Sequence, residues 1–493
     1  MNIKDMMVVD ANAEAMGIPK SSLMENAGKC IASKIFEISK PCKVTLFAGT
    51  GGNGGDGFVA ARYLLNKGFE VDIYLIGHSS RIKSIEAMKN WEVLQKINIE
   101  MNSIKIYQIE DSSQLQPVNS DIIIDAILGT GTKGGLREPV SSSVDIINSS
   151  GAIVVAVDTP TGLNPDTGRV VTNAVKADVT VTFHKEKTGI KKADTAHVGR
   201  VHVCDIGIPK DAELFTGPGD ILRLNKRKKG SHKGQNGSVL VLGGSSDYSG
   251  APAIAAISSI RSGADLSIVA CPNSVVSPIR SYSPDLIVKG LSDNYINFDD
   301  TSKILELTED ADVMIVGCGI GREEETRLAL NEMIEKIQMP VVIDADALKI
   351  MDVDLIREYK NQMVLTPHKS EFKAFFGVNV PENLSQRIDV VLEASRESQF
   401  TILLKGVVDI ISDGDSVKLN ATGNEGMTVG GTGDLLAGLV GGLMAQGHDA
   451  FEAAFLGSFI NGTAGDLAKE DHGYNFIASD ILNYIPQVFR NYP

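Results

Sequence analysis

Residues 427–434 read Met-Thr-Val-Gly-Gly-Thr-Gly-Asp and run straight into the apolar stretch 435–444. Bare N–H groups at a helix N-terminus attract anions, because several donors lack intrahelical partners and the macrodipole is positive there. Asp434 stands at that join. It is either a cap or a base aimed at whatever the glycines hold. The sharper reading is phosphate chemistry with a carboxylate in attendance; the plainer one is a capped tight turn.

Three earlier stretches also set an acid beside glycines: Thr50-Gly-Gly-Asn-Gly-Gly-Asp-Gly57, Asp125-Ala-Ile-Leu-Gly-Thr-Gly131 and Asp158-Thr-Pro-Thr-Gly162. Each alone reads equally well as a capped turn. The first is not the dinucleotide fingerprint. Gly49-Thr-Gly51 is present, but the next glycines are wrongly spaced and no ribose-binding acid follows at the usual distance. Further on come Lys233-Gly-Gln-Asn-Gly237, Gly317-Cys-Gly-Ile-Gly321, Asp344-Ala-Asp346, Thr366-Pro-His-Lys-Ser-Glu371 and Lys405-Gly406. A histidine such as His368 is more often packed or at the surface. With Thr-Pro before it and Glu371 after it, a substrate contact is the stronger expectation. Asp344 and Asp346 read equally as strand terminators.

These residues need elements to position them. Short β-branched runs alternate with helical patterns in two blocks, the signature of parallel α/β sheets, in which ligands bind beyond the carboxyl ends of the strands. In the first block the pattern predicts strands over 43–48, 70–76, 103–109, 121–128, 152–158, 178–183 and 200–206, with a helix over 57–67. The second restarts at 238–243 and continues through 266–270, 312–316, 340–344, 362–366, 401–405 and 407–412. Its helices are predicted over 252–262, 324–337, 434–445 and 450–468. Every chemistry-bearing run falls at or just beyond a strand end. The expected fold class is therefore α/β in two domains, each a mostly parallel sheet flanked by helices, the first Rossmann-like. The domains are expected over 1–210 and 235–493. Between them, 211–234 carries Gly217-Pro-Gly219 and the basic string Lys226-Arg-Lys-Lys229, a composition suited to a solvated joint.

At 493 residues the chain is long for a single core. A formal charge of −15 argues against nucleic acid as the main partner. Five scattered cysteines, without a Cys-x-x-Cys pair, suggest reduced thiols, no structural zinc and a cytoplasmic setting. Asp5 and Asp10 interrupt the N-terminus before any long apolar stretch, so no signal peptide is expected, and no run is long enough for a membrane span. A homo-oligomer is the expectation for an α/β enzyme of this size.

Leu23-Met-Glu-Asn-Ala-Gly28, Gly52 through Arg62, Asp125 through Gly131 and Val157-Asp-Thr-Pro-Thr-Gly-Leu163 together resemble the YjeF N-terminal family, the NAD(P)H-hydrate epimerases, over roughly residues 1–210. The resemblance implies that Gly52, Asn53, Gly54, Gly55 and Asp56, with the loop Gly129, Thr130, Gly131, Thr132, Lys133, Gly134 and Gly135, hold a hydrated nicotinamide dinucleotide. Asp158 would act as acid/base at its carbinolamine carbon. It also implies a potassium ion held by Asn53, Asp125 and Thr161. One departure stands out: the family usually has Asn-Asn-Gly-Gly-Asp, and here the first Asn is Gly52.

The runs of the second half are similar to the YjeF C-terminal family, the ADP/ATP-dependent NAD(P)H-hydrate dehydratases of the ribokinase-like superfamily, over roughly residues 225–490. That likeness implies an adenine nucleotide, ADP or ATP, held by Lys405, Gly406, Val407, Val408 and Asp409 and by the glycines up to Gly433. Ala251, Gly319, His368 and Asp434 would face the hydrate, with Asp434 catalytic and Mg²⁺ as cofactor. The family's Gly-Pro-Gly is Gly-Cys-Gly at 317–319. The implied activity is repair. R and S hydrates of NADH and NADPH are interconverted, and the S form is dehydrated after its hydroxyl is phosphorylated. A rival reading stays open at this point: a ribokinase-like small-molecule kinase fused to a non-catalytic nucleotide-binding domain.

Overall fold

The computed structural model describes residues 1–101, 104–131 and 134–491 and divides into two compact units, Met1–Ala212 and Glu213–Pro493. No helix among the described residues is long and apolar enough to cross a membrane.

The first unit is built on seven strands: β1 (Lys43–Ala48), β2 (Glu70–Ile76), β3 (Ile104–Ile109), β4 (Ile122–Ala126), β5 (Ile153–Val157), β6 (Val179–Phe183) and β7 (Arg200–Cys204). They lie in the order β3-β2-β1-β4-β5-β6-β7, every pair parallel. Val44, Leu46, Phe47 and Ala48 are fully buried, as expected of a strand covered on both faces. The strand order reverses between β1 and β4. A crevice must open there, because the connections leave in opposite directions.

Three helices shape that crevice: α1 (Ile3–Ala15), α2 (Lys20–Ile38) and α3 (Gly52–Asn66). The first two are not marked by the alternation of strands and helices read from the sequence. Helix α3 starts five residues earlier than expected, so Asn53 through Asp56 form its first turns and not a loop. Glycine permits this. A Cβ on Gly54 would stand 2.0 Å from the Gly49 carbonyl oxygen, and one on Gly49 would stand 2.0 Å from that of Ile127. The backbone of α3 is thereby seated directly on the ends of β1 and β4.

The cysteine reading needs correction. Cys30 and Cys204 form a disulfide joining α2 to the end of β7, with their Cα atoms 6.5 Å apart. Their separation of 174 residues hides the pair in the sequence. Cys42, Cys271 and Cys318 are free thiols.

The second unit carries nine strands: β8 (Ser238–Leu242), β9 (Leu266–Cys271), β10 (Ile287–Gly290), β11 (Val313–Val316), β12 (Val341–Ile343), β13 (Met363–Leu365), β14 (Thr401–Leu404), β15 (Asp409–Ser412) and β16 (Val417–Asn420). Their order is β10-β9-β8-β11-β12-β13-β14-β15-β16, parallel except for the antiparallel pairs β14–β15 and β15–β16. The order reverses between β8 and β11, whose ends carry Gly243 and Gly317. Against the sheet lies the helix Thr432–Ala445, buried from Leu435 to Met444. It approaches the helix Gly250–Arg261 so closely that a Cβ on Gly438 would meet the Ala255 carbonyl oxygen at 2.1 Å. Part of the stretch read as a joint is structured on this unit. Thr216 N–H donates to the Leu419 carbonyl at 2.8 Å, and Arg227 pairs with Asp265 at 2.9 Å.

Candidate active sites

In the first unit a cavity of about 700 Å³ opens at the β1/β4 reversal. Of the residues singled out in the sequence, Gly52, Asn53, Asp56, Gly129, Thr130, Gly131 and Asp158 line it. Gly54 and Gly55 are buried behind this wall, where a Cβ on Gly55 would strike the Met24 side chain at 2.6 Å. Gly134 is exposed, with φ +79°, and Gly135 packs toward Thr172. Thr132 and Lys133 lie outside the described residues.

Asp158 follows β5 with φ 62°, in the left-handed region that non-glycine residues seldom occupy. Such strain persists only where surrounding contacts over-determine it. They do so here. Its N–H donates to the Val181 carbonyl at 2.7 Å, and its carboxylate accepts from Thr182 Oγ1 at 3.2 Å and from Lys187 Nζ. Lys187 was not singled out in the sequence. It sits among Lys185, Lys191 and Lys192, and nothing local marks it as buried.

Two further carboxyls face this cavity. Asp56 is held well above the usual carboxylate range, first by desolvation and then by the charge of Asp158. Asp10, on α1, is raised to about 6, again by burial first.

Asp125 and Thr161 are fully buried together behind the cavity. The Asp125 carboxylate accepts from Thr161 N–H at 2.8 Å, Thr161 Oγ1 at 2.7 Å and Ile127 N–H at 3.3 Å. These donors are neutral, and burial raises Asp125 to about 6 against them. Asn53 has a buried Nδ2 without a partner among the described residues, and its Oδ1 lies 3.1 Å from where a Cβ on Gly129 would stand. This oxygen-rich pocket around an uncompensated buried carboxylate fits an alkali cation.

In the second unit, Asp344 and Asp434 come together beyond the strand ends. One carboxylate oxygen of each and Cys318 Sγ lie within 4.8 Å of one another. Lys405 Nζ donates to Asp344 Oδ1 at 2.8 Å, an oxygen also reached by Thr366 Oγ1 at 2.8 Å. Burial lowers the Lys405 pKa, but the charge and hydrogen bond of Asp344 outweigh it, so the net shift is upward. A Cβ on Gly433 would sit 3.3 Å from Lys405 Nζ, so Gly433 and Lys405 are neighbours. The helix is capped by Gly431 at φ 98°, which leaves Asp434 in its first turn rather than at the cap. Burial and the like charge of Asp344 raise Asp434 to about 6.

Gly317 (φ 121°) and Gly319 (φ 64°) need their conformations, and a Cβ on Gly317 would stand 1.9 Å from the Asp344 carbonyl oxygen. One on Gly319 would stand 2.8 Å from Tyr248 Cβ and 3.2 Å from Ala251 Cβ, so Gly319 and Ala251 adjoin. His368 caps the helix Lys369–Phe376. Its Nδ1 accepts from Ser370 N–H and Glu371 N–H at 3.2 Å each, while the side chain stays half exposed. Lys405 N–H donates to the Pro367 carbonyl at 2.9 Å, which brings His368 beside the same edge. Gly406, Val407 and Val408 form the β14–β15 turn. Asp409 closes it by accepting from Gly406 N–H at 2.9 Å, and Val407 is 94% exposed at its tip. Asp344 is the residue whose importance the sequence understated: it is the hub that Lys405, Thr366 and Gly317 share.

The two carboxylates offer magnesium hard oxygens, but the neighbouring thiol does not suit it and Lys405 already pairs with Asp344. The residues fit a magnesium that arrives on nucleotide phosphates better than one caged by protein alone.

A family model described as NAD(P)H-hydrate dehydratase matches residues 239–487, and one described as YjeF-related protein N-terminus matches residues 20–189. The chain is 50% identical to the bifunctional NAD(P)H-hydrate repair enzyme Nnr of Methanothermobacter thermautotrophicus, covering 98% of this chain and 94% of that one. It is 42% identical to the enzyme of the same name from Archaeoglobus fulgidus, covering 98% and 97%. Among solved structures it resembles an ADP/ATP-dependent NAD(P)H-hydrate dehydratase from Bacillus subtilis co-crystallised with ATP/Mg²⁺, with a TM-score of 0.51 and 27% identity. That match covers 57% of this chain and 99% of the other.

Proposed function

The chain belongs to the family of bifunctional NAD(P)H-hydrate repair enzymes, and from that premise we propose how its residues divide the work. It is an NAD(P)H-hydrate epimerase and an ADP/ATP-dependent NAD(P)H-hydrate dehydratase. The rival kinase reading, with a non-catalytic first domain, falls away.

In the first unit, Gly52, Asn53, Asp56, Gly129, Thr130 and Gly131 cradle the hydrate at the helix α3 N-terminus, and Asp158 acts as acid/base at its carbinolamine carbon. The Lys187–Asp158 contact is the observation that supports this, because it fixes the carboxylate, on a left-handed backbone, at the wall of the cavity. Asn53, Asp125 and Thr161 hold a potassium ion, which when bound supplies the positive charge that the buried Asp125 lacks.

In the second unit, Ala251, Gly319 and His368 face the S hydrate, and residues 405–409 with Gly433 hold the nucleotide. Asp434 takes the proton from the substrate hydroxyl as the terminal phosphoryl is transferred, and the N–H groups of the helix start stabilise the moving charge. The ring nitrogen's lone pair then expels phosphate, and loss of a proton from the neighbouring ring carbon forms the ring double bond and returns the lone pair to nitrogen. Magnesium, when bound with the nucleotide, neutralises charge on its phosphates. The Asp344–Lys405 pair beside Gly433 supports this reading, since it sets a cation next to the glycines expected to meet phosphate.

The test is to incubate the protein with mixed R and S NADH hydrates and either ADP or ATP. Full recovery of NADH absorbance, with stoichiometric AMP or ADP, is expected. Recovery stopping once the S form is consumed would overturn the epimerase half. A stable phosphorylated product without NADH would overturn the dehydratase half.

A further inference from the structure

We propose that Asp10, on helix α1, is a second catalytic carboxyl of the epimerase site, the general acid that protonates the hydrate's hydroxyl. This rests on the reading of Asp158 as acid/base at the same carbon and extends it to the opposite half-reaction. Helix α1 lies outside residues 20–189, the stretch matched by the family model, yet Met6 and Asp10 form part of the cavity wall that Asp158 and Lys187 also line.

The helix is not loosely placed. Met1 N–H donates to the Glu186 carbonyl at 2.9 Å, and Thr188 N–H donates to the Met1 carbonyl at 3.0 Å. These bonds flank Lys187 on both sides, so α1 is tied to the segment that carries it. At the other end Asn12 Nδ2 donates to the Ala212 carbonyl at 3.2 Å. Asp10 sits between these anchors.

The two carboxyls have opposite surroundings. Asp158 is ion-paired with Lys187 and accepts from Thr182. Asp10 has no ion-pair or hydrogen-bond partner among the described residues. The charged groups that act on it are Asp158 after β5, Lys187 beyond β6 and Lys20 on α2, and Asp56 on α3 completes the acidic wall. Desolvation raises Asp10 to about 6, the Asp158 charge adds to that rise, and Lys187 and Lys20 oppose it. One carboxylate ion-paired and another desolvated without a partner, both on the wall of a single cavity, is the arrangement that divides base from acid.

The step balances without a redox partner. Asp10 gives its proton to the hydroxyl oxygen on the carbinolamine carbon. The carbon–oxygen bond breaks and its electron pair leaves with water, while the nitrogen lone pair forms a carbon–nitrogen double bond. Water then adds to the other face, the double-bond pair returns to nitrogen, and Asp158 takes the released proton. In the reverse direction the two carboxyls exchange roles, and proton exchange with solvent restores the starting form.

The test uses the full chain with purified R hydrate in H₂¹⁸O, following formation of the S epimer and its label. Asp10→Asn should lower kcat of epimerisation by roughly 10²–10⁴-fold, with KM within about threefold of the parent. Asp10→Glu should recover part of the rate, formate should rescue Asp10→Ala, and every epimer formed by the parent should carry solvent oxygen. In the parent, kcat should fall as pH rises and Asp10 loses its proton, and Asp10→Asn should flatten that limb. An Asp10→Asn enzyme at parental kcat overturns the proposal. So do equal losses in Asn and Glu variants with raised KM and no formate rescue, which would mark a structural role. Full activity in Asp158→Asn with a slow Asp10→Asn would instead sink the base assignment alone.

Discussion

Lys187 and Asp158 hold each other inside the epimerase cavity, the lysine side chain only 1% exposed and the aspartate 13%. The ammonium also donates to the Phe183 carbonyl at 3.0 Å, so its protons are largely committed. Each is the other's buried polar partner, and the contact braces the left-handed backbone of Asp158.

Replacing Lys187 with Met should therefore cost more than a contact. Removing one member of a buried ion pair costs about 3–5 kcal/mol when the other is left sealed in. Asp158 borders the cavity, so a smaller loss of about 1–3 kcal/mol is expected. Denaturant melts of the first unit's transition would measure it. The double variant Lys187→Met/Asp158→Asn should be more stable than Lys187→Met alone, because no orphan charge remains. Equal stability of the two would show that the pair is energetically loose.

Gly52 gives a gain-of-function prediction. A Cβ there meets nothing within 4 Å, its φ lies outside the positive range, and the residue lines the cavity. Gly52→Asn should restore the amide of the Asn-Asn-Gly-Gly-Asp pattern without strain and lower KM for the hydrate several-fold, by roughly one hydrogen bond's worth of 0.5–1.5 kcal/mol. An unchanged or higher KM would mean that the missing amide never touched substrate.

The potassium assignment predicts a selective ion dependence. Exchanging potassium for tetramethylammonium, too large for the pocket of Asn53, Asp125 and Thr161, should slow R-to-S conversion and leave dehydration of the S hydrate unaltered. Asp125→Asn should abolish the difference between the two salts. If both half-reactions respond alike, the ion acts elsewhere.

Much of this arrangement was legible from the sequence because parallel strands announce themselves. Lys43–Ala48 and Glu70–Ile76 are apolar, β-branched runs with bounds as expected. Other elements were not. Ile287–Gly290 and Val417–Asn420 have four residues each at or near a sheet edge, with Lys289 and Lys418 interrupting the apolar pattern. Glycine-bearing acid runs could be recognised because spacing along the chain carries the signal. Lys187, Asp10, Asp344 and the Cys30–Cys204 bridge depend on partners brought together only by folding, so local pattern could not distinguish them from solvated or packed residues. The first turn of α3 shows a subtler limit. Asn53 to Asp56 read as loop because glycines crowd the stretch, yet two of them, Gly54 and Gly57, are what let a helix start against the sheet.

Asp434 carries the last prediction, in which function and stability oppose each other. Burial first, and Asp344 second, raise it from an ordinary 3.8 to about 6. A folded-state pKa above the unfolded one means that the folded protein binds more protons between about pH 4 and 6. Stability contributed by this group therefore falls as pH rises through that window, and the penalty is fully present at pH 7. That penalty is about 3 kcal/mol at most. Asp434→Asn should accordingly raise the melting temperature of the second unit at pH 7.5, with the gain shrinking as pH falls toward 4. Dehydration needs the ionised base, so kcat/KM of the parent should decline as pH falls through about 6. The same Asn variant should lose roughly 10²–10⁴-fold in dehydration while still binding nucleotide. Calorimetry of nucleotide binding, thermal melts at two pH values and a single turnover assay decide the matter. A variant that is more stable, still binds nucleotide and is inactive identifies Asp434 as the base; one with near-parental turnover would show that the proton leaves by another route.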